Sequence, residues 1–490
     1  MTRLVPDYQE SAPGDSPPEM PHGARTTTAA RPRPHFSTTF GMVIPQAQPT
    51  KPVEQAKKKP FYTIIFADLV IPGDGDPLRS HALVLSGKLI EWMGQWHGVP
   101  SRYTSDSEGH RKFRIPYVMP GLWDCHVHFV GADPYEVRGY DTFLALHPAS
   151  GGARLARGCW EALQNGYTSM RDVGGYGCEV AKAIDEGTIA GPNVYGSGAV
   201  LSQTAGHGDV FENAPGDVLN HAGVKTIYPG HASSGIICLV DGVDECRKGV
   251  RLQIRRGARS IKLVASGGIM SRDDNPLYAQ FSPEELECIV KEANRLGRAV
   301  AAHCHGKPGI MAAVEAGVTT VEHVSCGDRE CIELIKKKGT VYVATRFIMD
   351  ILLASKGEGL PTHVWEKVQL IGNSHEEAYR MAIKEGVTFA IGTDAPPEGC
   401  TPAELESAVK LGMTPLEAIK AGTANGPLTV GEQAPKTGQL KVGYEADILG
   451  LTANPVEDIK ILQNRDNIKW VWKGGRLYKG PGVGPWGEEF

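Results

Sequence analysis

VMPGLWDCHVHF, Val118 to Phe129, ends an apolar run with two histidines one residue apart. In a strand, residues i and i+2 point to the same face, so His126 and His128 would project side by side from one strand end. Such a pair reads either as a metal site or as two strand histidines satisfied by their neighbours. The pattern on both sides of the stretch bears on the choice.

Upstream, FYTIIFADLVI and HALVLSGKLIEWMG read as β-strands joined by the turn-rich PGDGDPLRS. The end of the chain repeats this style in ADILGLT and IKWVWKGGRLYK. Between these flanks, strand and helix patterns alternate. Eight stretches are candidate strands: YVMPGLWDCHVHF, YTSMRDVG, NVYGSGAVLS, SIKLVASGG, AVAAHCHG, TTVEHVS, TVYVATR and TFAIGTDA. Helix starts are signposted by SPEE at Ser282, TPAE at Thr401 and TPLE at Thr414, each with a hydroxyl N-cap, Pro at N1 and Glu at N3. The expected fold is α/β, a (β/α)8 TIM barrel over residues 116–439. A small β-sandwich would be built from both chain ends, 61–115 and 440–490. A doubly wound open sheet is the alternative. Residues 1–60, rich in Pro, Thr, Ala and Arg, read as a disordered arm.

The balance of 51 basic and 56 acidic residues, net −5, gives no electrostatic case for nucleic acid or an anionic membrane. No apolar run approaches the roughly 18 residues of a membrane helix. The ten cysteines are scattered and read as reduced thiols. No apolar signal region follows the N-terminus. A cytoplasmic protein is expected, with export by another route left open.

In a (β/α)8 barrel the chemistry sits at the C-terminal ends of the strands. His126 and His128 end the first candidate strand, and Lys262 lies in the fourth, SIKLVASGG. His303 and His305 end the fifth, His323 lies in the sixth, and Asp394 ends the eighth. Singly, each has an ordinary reading: a lysine on a solvated face, a core histidine, a turn aspartate. Together, His126, His128, Lys262, His303, His323 and Asp394, six positions at strand ends in chain order, point to a metal centre. Cys125 and Cys304 alternate away from it. Asp124 would orient a ligand from behind. The long segment from Ser202 to Asp244 exceeds a simple connection, and His207 in TAGHGD is a candidate wall residue.

From residue 61 to the end, the sequence resembles the amidohydrolase superfamily: PGLWDCHVH, the strand-four lysine, the two later histidine strands and GTDA follow its metal motifs in order. HPASGGARLARGCWEALQNGYTS, LSQTAGHGD, ASGGIMSRDDNP, GYEADILGL and WKGGRLYKGPGVGPWGE are similar to the fungal ochratoxinases and their carboxypeptidase-like relatives, a branch of that superfamily. The resemblance implies two Zn2+ ions, other divalent metals being possible. His126, His128 and Asp394 would hold the more buried ion, and His303 and His323 the second. Lys262, carbamylated by carbon dioxide, would bridge them. It also implies that Asp394 carries a proton from the attacking water to the departing amine, and that His305 contacts substrate or stabilises charge.

The implied reaction releases a C-terminal amino acid from an N-acyl amino acid or peptide, ochratoxin A to ochratoxin alpha plus phenylalanine included. An Xaa-Pro or other dipeptidase and a cyclic-amide hydrolase are the alternatives within the superfamily. A deaminase fits poorly, since such enzymes generally do without the bridging lysine. A non-catalytic scaffold would have lost ligands, and here every position is filled. The free carboxylate of such a substrate calls for a cation, for which Arg272 and Arg346 are the candidates after predicted strands. The partner is a small-molecule amide. Relatives are commonly homo-oligomers, so a homo-oligomer such as an octamer is expected.

Overall fold

Pro120 and Gly121 divide the decisive stretch between two sheets. Strands β1 (Tyr62–Val70), β2 (Leu78–Ser86), β3 (Leu89–Gln95) and β4 (Arg111–Pro120) belong to the first sheet. At Gly121 a Cβ would meet the Thr168 hydroxyl at 2.1 Å, so only glycine lets the chain pass into β5 (Leu122–Val127). The computed structural model describes residues 61–105, 110–132, 147–209 and 236–488. The expected disordered arm, 1–60, lies outside them.

The first sheet has seven strands in the order β17-β16-β15-β4-β1-β2-β3, where β15 is Ile448–Leu451, β16 Ile468–Lys473 and β17 Arg476–Lys479. Both chain ends therefore share it: β4 runs parallel to β1 on one side and antiparallel to β15 on the other. Ile65, Leu83, Ile115, Val118, Ile448 and Trp472 pack into one cluster drawn from both halves. Ala446 N donates to Lys88 O (2.8 Å) and Ile90 N to Tyr444 O (2.9 Å), tying the chain before β15 to the β3 edge.

All other strand pairings are parallel. One sheet is β5-β6-β7, with β6 at Tyr167–Asp172 and β7 at Asn193–Val194. The other runs β14-β13-β12-β11-β10-β8-β9. Its members are β8 (Val200–Ser202), β9 (Ile237–Leu239), β10 (Ser260–Val264), β11 (Ala299–Cys304), β12 (Thr320–His323), β13 (Val341–Val343) and β14 (Phe389–Ala390). Strands β10 to β13 are buried at every residue, as parallel strands covered on both faces must be. Backbone bonds join the two parallel sheets: Cys125 N to Ile391 O and Asp394 N to His126 O (both 2.8 Å) link β5 to the chain after β14, and Arg259 N to Gly196 O (2.8 Å) links the start of β10 to the chain after β7.

The candidate strand NVYGSGAVLS is two strands, β7 and β8, separated by Gly196 and Gly198. Strand β9 lies within the segment read as a long connection; residues 210–235 of that segment lie outside the described residues. All ten cysteines are free thiols. Among the described residues no helix is long and apolar enough to cross a membrane.

Two of the three helix-start signatures form capping boxes: Ser282 with Glu285, and Thr414 with Glu417. The third does not. Its helix runs Ala403–Leu411 with Pro402 at the N-cap and no side-chain cap. Glu404 is buried and turns instead to the backbone N–H groups of Arg346 and Phe347. Thr414→Ala or Ser282→Ala is expected to cost about 1 kcal/mol, whereas Thr401→Ala changes stability by less than about 0.5 kcal/mol. Denaturation midpoints of the three variants check the distinction.

Candidate metal centre

The strand ends deliver two triads of ligand atoms. His126, His128 and Asp394 form one, and His303, His305 and His323 the other; within each, the atoms lie within 4.8 Å of one another. Asp394 Oδ1 is 3.4 Å from His126 Nε2 and 3.2 Å from His128 Nε2. Lys262 Nζ lies 3.4 Å from His126 Nε2, so the lysine faces the ligands rather than the outer helices. The triads adjoin: the rings of His126 and His323 are 4.9 Å apart.

Each imidazole is held through its other nitrogen. His128 Nδ1 bonds Gly174 O at 3.0 Å and His126 Nδ1 bonds Glu322 Oε2 at 2.7 Å. A carbonyl and a carboxylate only accept, so both Nδ1 atoms carry protons and both Nε2 atoms present lone pairs inward. His303 is fixed oppositely, its Nε2 donating to Gly267 O at 3.3 Å. Nδ1 of His305 meets the Ser325 hydroxyl (2.8 Å), and Nδ1 of His323 meets the Thr345 hydroxyl (2.7 Å).

Burial works against protonation at each of these rings; at His128 the hydrogen bond to Asp394 outweighs it and raises that ring above the ordinary histidine value, while at the others burial prevails. It lowers His126 to about 4 and His305 to about 3, and drives His303 and His323 well below the ordinary histidine value. Burial also lowers Lys262 to about 8, against the pull of Glu322 and Asp394. For Asp394, burial works upward, but His126 and His128 outweigh it and hold the carboxylate at about 2. Four neutral imidazoles, an ionised carboxylate and a readily deprotonated amine are states a metal needs from its ligands, and a metal would have to displace the proton that Asp394 favours on His128.

His303, His305, His323 and Asp394 line a cavity that opens to solvent. Its second wall is apolar, with Ile269, Met270, Ile348, Met349 and Leu352. His207 lines it as expected, its ring stacked on His303 at 4.5 Å and its Nδ1 2.8 Å from Ser271 Oγ. Gly268 makes that placement possible, since a Cβ there would fall 2.1 Å from the His207 ring.

The two arginines are not brought to the cavity. Arg272 is exposed in its loop. Arg346 is buried and turned away: Nε donates to Asp350 (2.8 Å) and Nη1 to Gly372 O (3.1 Å), with Glu376 at 3.5 Å. The residue follows β13 as read, but it opens a helix, and Asp350 four residues on captures it. Among the described residues lining the cavity there is no lysine or arginine.

His305 was read as a non-ligand; its ligand atom is nonetheless grouped with those of His303 and His323. Asp124 acts on the backbone rather than on a ring. It accepts from His126 N (3.1 Å), Thr393 N (3.1 Å) and Thr393 Oγ1 (2.7 Å), locking the first ligand strand to the residue before Asp394.

The amidohydrolase family profile matches residues 117–478, more than half of the chain. The chain belongs to the amidohydrolase family. It is accordingly a hydrolase acting on amide bonds. It is 60% identical over 428 residues to an ochratoxinase of Aspergillus niger, covering 87% of this chain and 88% of that one. The crystal structure of A. niger ochratoxinase superposes with a TM-score of 0.84 at 59% identity, over 88% of this chain and 98% of that one. An Xaa-Pro dipeptidase structure with bound methionine matches with a TM-score of 0.74 at 28% identity, over 86% and 100%. Amidohydrolases are generally metal-dependent, and the two triads are this chain's candidate metal-binding groups.

Two residues behind the amidohydrolase triads escaped the sequence reading. Glu322 and Arg171 are fully buried and paired, with Arg171 Nη2 at 2.9 and 3.0 Å from the two carboxylate oxygens. Burial pushes Glu322 upward, yet Arg171 and His126 hold it below the ordinary carboxylate range. The signal was present: SMRDV and TVEHV each place a charge inside an apolar strand, as SIKLV does.

The buried histidines give a direct test. With His305 lowered to about 3, its ring nitrogens in the metal-free protein are expected not to titrate between neutral pH and about pH 5. An unfolded histidine protonates near about 6.5. This residue therefore costs the metal-free fold stability progressively as pH falls from about 6.5 toward about 3, and nothing above that window. Nitrogen-15 shifts of the His305 ring across pH check it; a mid-range titration contradicts the burial.

Proposed function

We propose that this chain is a binuclear metal-dependent amidase of the carboxypeptidase type. It would release a C-terminal amino acid from N-acyl amino acids or peptides, ochratoxin A to ochratoxin alpha plus phenylalanine among them. The single observation that carries the metal reading is Lys262, a buried lysine 3.4 Å from His126 Nε2 among two triads of ligand atoms. The name of the relative at 60% identity supports the substrate, and the apolar wall of the cavity suits an aromatic group. We read the scaffold as a closed (β/α)8 barrel, supported by the backbone bonds that join β5 to the chain after β14 and β10 to the chain after β7. We read the flanking sheet as folding over on itself into a sandwich, supported by its two-sided core and the bonds across the β3 edge.

The residues fit two Zn2+ ions by the chemistry of their donors: neutral imidazoles, one ionised carboxylate and a lysine whose amine is easily freed. His126, His128 and Asp394 would hold one ion, His303 and His323 the other, and the carbamate of Lys262 both. To form the carbamate, the ammonium gives up one proton, and the neutral amine then bonds to the carbon of carbon dioxide and releases a second, so a cation becomes a two-oxygen anion. When bound, the metals supply the Lewis acidity that activates water and polarises the amide carbonyl.

The chain's own groups do the rest. Asp394, ionised throughout the neutral range, accepts the proton of the attacking water and passes it to the departing nitrogen. His305 and His207, neutral and on the cavity wall, orient the substrate by hydrogen bonds. The apolar wall packs the side chain and keeps water from the bond being cut.

An Xaa-Pro dipeptidase is the second reading, favoured by the matching dipeptidase structure. A screen of ochratoxin A, N-acyl amino acids and Xaa-Pro dipeptides separates the two: the first reading expects the aromatic N-acyl substrates to be cut with the higher kcat/KM. Substrates with an amidated C-terminus are expected to lose most of that activity; equal rates would rule out recognition of a free carboxylate. Lys262→Ala and Lys262→Arg are both expected to lose metal and at least ~100-fold in activity, since a guanidinium stays protonated and takes up no carbon dioxide. An unmodified lysine mass in active two-metal protein, or an active Arg variant, overturns the bridge.

A further inference from the structure

The helix Arg346–Ala354 begins without a side-chain cap of its own. Its N-cap residue, Thr345, adopts φ 54° and ψ 41°, a left-handed conformation strained for a β-branched residue. At an N-cap a threonine hydroxyl ordinarily accepts from the helix's first N–H groups. Here that hydroxyl lies 2.7 Å from His323 Nδ1 instead. The helix N–H groups of Arg346 and Phe347 are satisfied by the Glu404 carboxylate, at 3.0 and 2.5 Å. Glu404 is 1% exposed and lies 58 residues from Arg346, on the helix Ala403–Leu411. The capped helix carries Ile348, Met349 and Leu352 into the apolar wall of the cavity.

We propose that Glu404 is a positioning residue for the active site. It replaces Thr345 as the cap, which leaves the Thr345 hydroxyl to fix the His323 ring, and it anchors the helix that forms the apolar wall. Two N–H donors at a helix start must be paired in a buried site. With Glu404 gone, the nearest replacement acceptor is the Thr345 hydroxyl. Thr345 would swing back to its own helix and release His323. A single carboxylate thus sets both a ligand and the wall facing it. The inference rests on the reading of His323 as a metal ligand only for its effect on metal content. Its effect on the ring itself is independent of that reading.

Three single variants and one double test it. Glu404→Gln keeps the shape but sets an amide N–H2 against one of the helix N–H groups. Thr345→Val keeps the volume and the branched Cβ but removes the hydroxyl; Thr345→Ser retains the hydroxyl. The first readout is the His323 ring nitrogen resonances of the metal-free protein. The second is metal retained per chain against a competing chelator, and the third is KM against kcat for an apolar N-acyl amino acid. Glu404→Gln and Thr345→Val are expected to shift the His323 Nδ1 resonance, to weaken retention of one metal by about 10- to 100-fold, and, for Glu404→Gln, to raise KM. Thr345→Ser is expected to match the parent. Because both residues act through one contact, the double variant Glu404→Gln/Thr345→Val should lose no more metal affinity than the worse single.

An unmoved His323 resonance in folded Glu404→Gln overturns the proposal, and so does a multiplicative loss in the double variant. If Glu404→Gln does not fold, Thr345→Val carries the test: an unchanged ring there equally overturns it. A shifted ring with undiminished metal content leaves the positioning role standing and removes His323 from the ligand set.

Discussion

The polar end of the parallel strands is organised around one buried carboxylate. Glu322 binds the Arg171 guanidinium through both oxygens, accepts a hydrogen bond from Nδ1 of His126, and meets the Thr320 hydroxyl. Arg171 reaches on to Cys125 O (2.6 Å) and Thr320 Oγ1 (2.9 Å), so one ion pair stitches three strands beneath the ligands. A buried pair of this kind contributes little net stability over an apolar replacement, but losing one partner leaves an uncompensated charge costing about 3–5 kcal/mol. Its value here is orientation. It fixes the tautomer of the deepest histidine, and it sets two charges of opposite sign beside Lys262 and Asp394, which are likewise of opposite sign.

Above that layer the backbone is strained where the candidate ligands sit. His323, Val324, Thr345 and Asp394 all have positive φ, between 52° and 68°. Each such residue costs of the order of 1–3 kcal/mol and persists only where its surroundings over-determine it. The surroundings are visible: Tyr342 OH donates to His323 O (2.9 Å), Asp124 clamps Thr393, and Glu404 clamps the residues after Thr345. Gly392 belongs to the same device, because a Cβ there would meet the His126 Cβ at 2.6 Å.

Much of this was legible in the chain. The candidate ligands fall at the ends of apolar strands, and a charge inside such a strand, as at Lys262, announces itself. What was not legible involves pairing over distance. Arg171 and Glu322 are 151 residues apart, and neither makes sense alone. TPAE has the same local signature as SPEE and TPLE, yet its glutamate caps another helix; a local motif cannot tell which helix a carboxylate will serve. Strand β9 is three residues in a glycine-rich segment, too short for any periodicity. Arg346 was misread although its spacing to Asp350, four residues on, already offered a helical ion pair. One histidine pair behaved as alternation required even though β5 is irregular: its register against β6 shifts twice, yet both rings reach Asp394.

The sheet shared by both chain ends has a consequence for biosynthesis. Strand β4 leads through Gly121 directly into the first ligand strand, and its free edge is filled by β15 near the end of the chain. A ribosome adds roughly 5–20 residues per second, so β4 leaves the tunnel on the order of tens of seconds before its partner exists. During that interval an apolar strand with open hydrogen-bonding groups is exposed next to the nascent strand of His126 and His128. Such an edge invites pairing with another chain. Slow decoding before β15 would lengthen the exposure, and a chaperone that shields β4 would protect the ligand strand along with it.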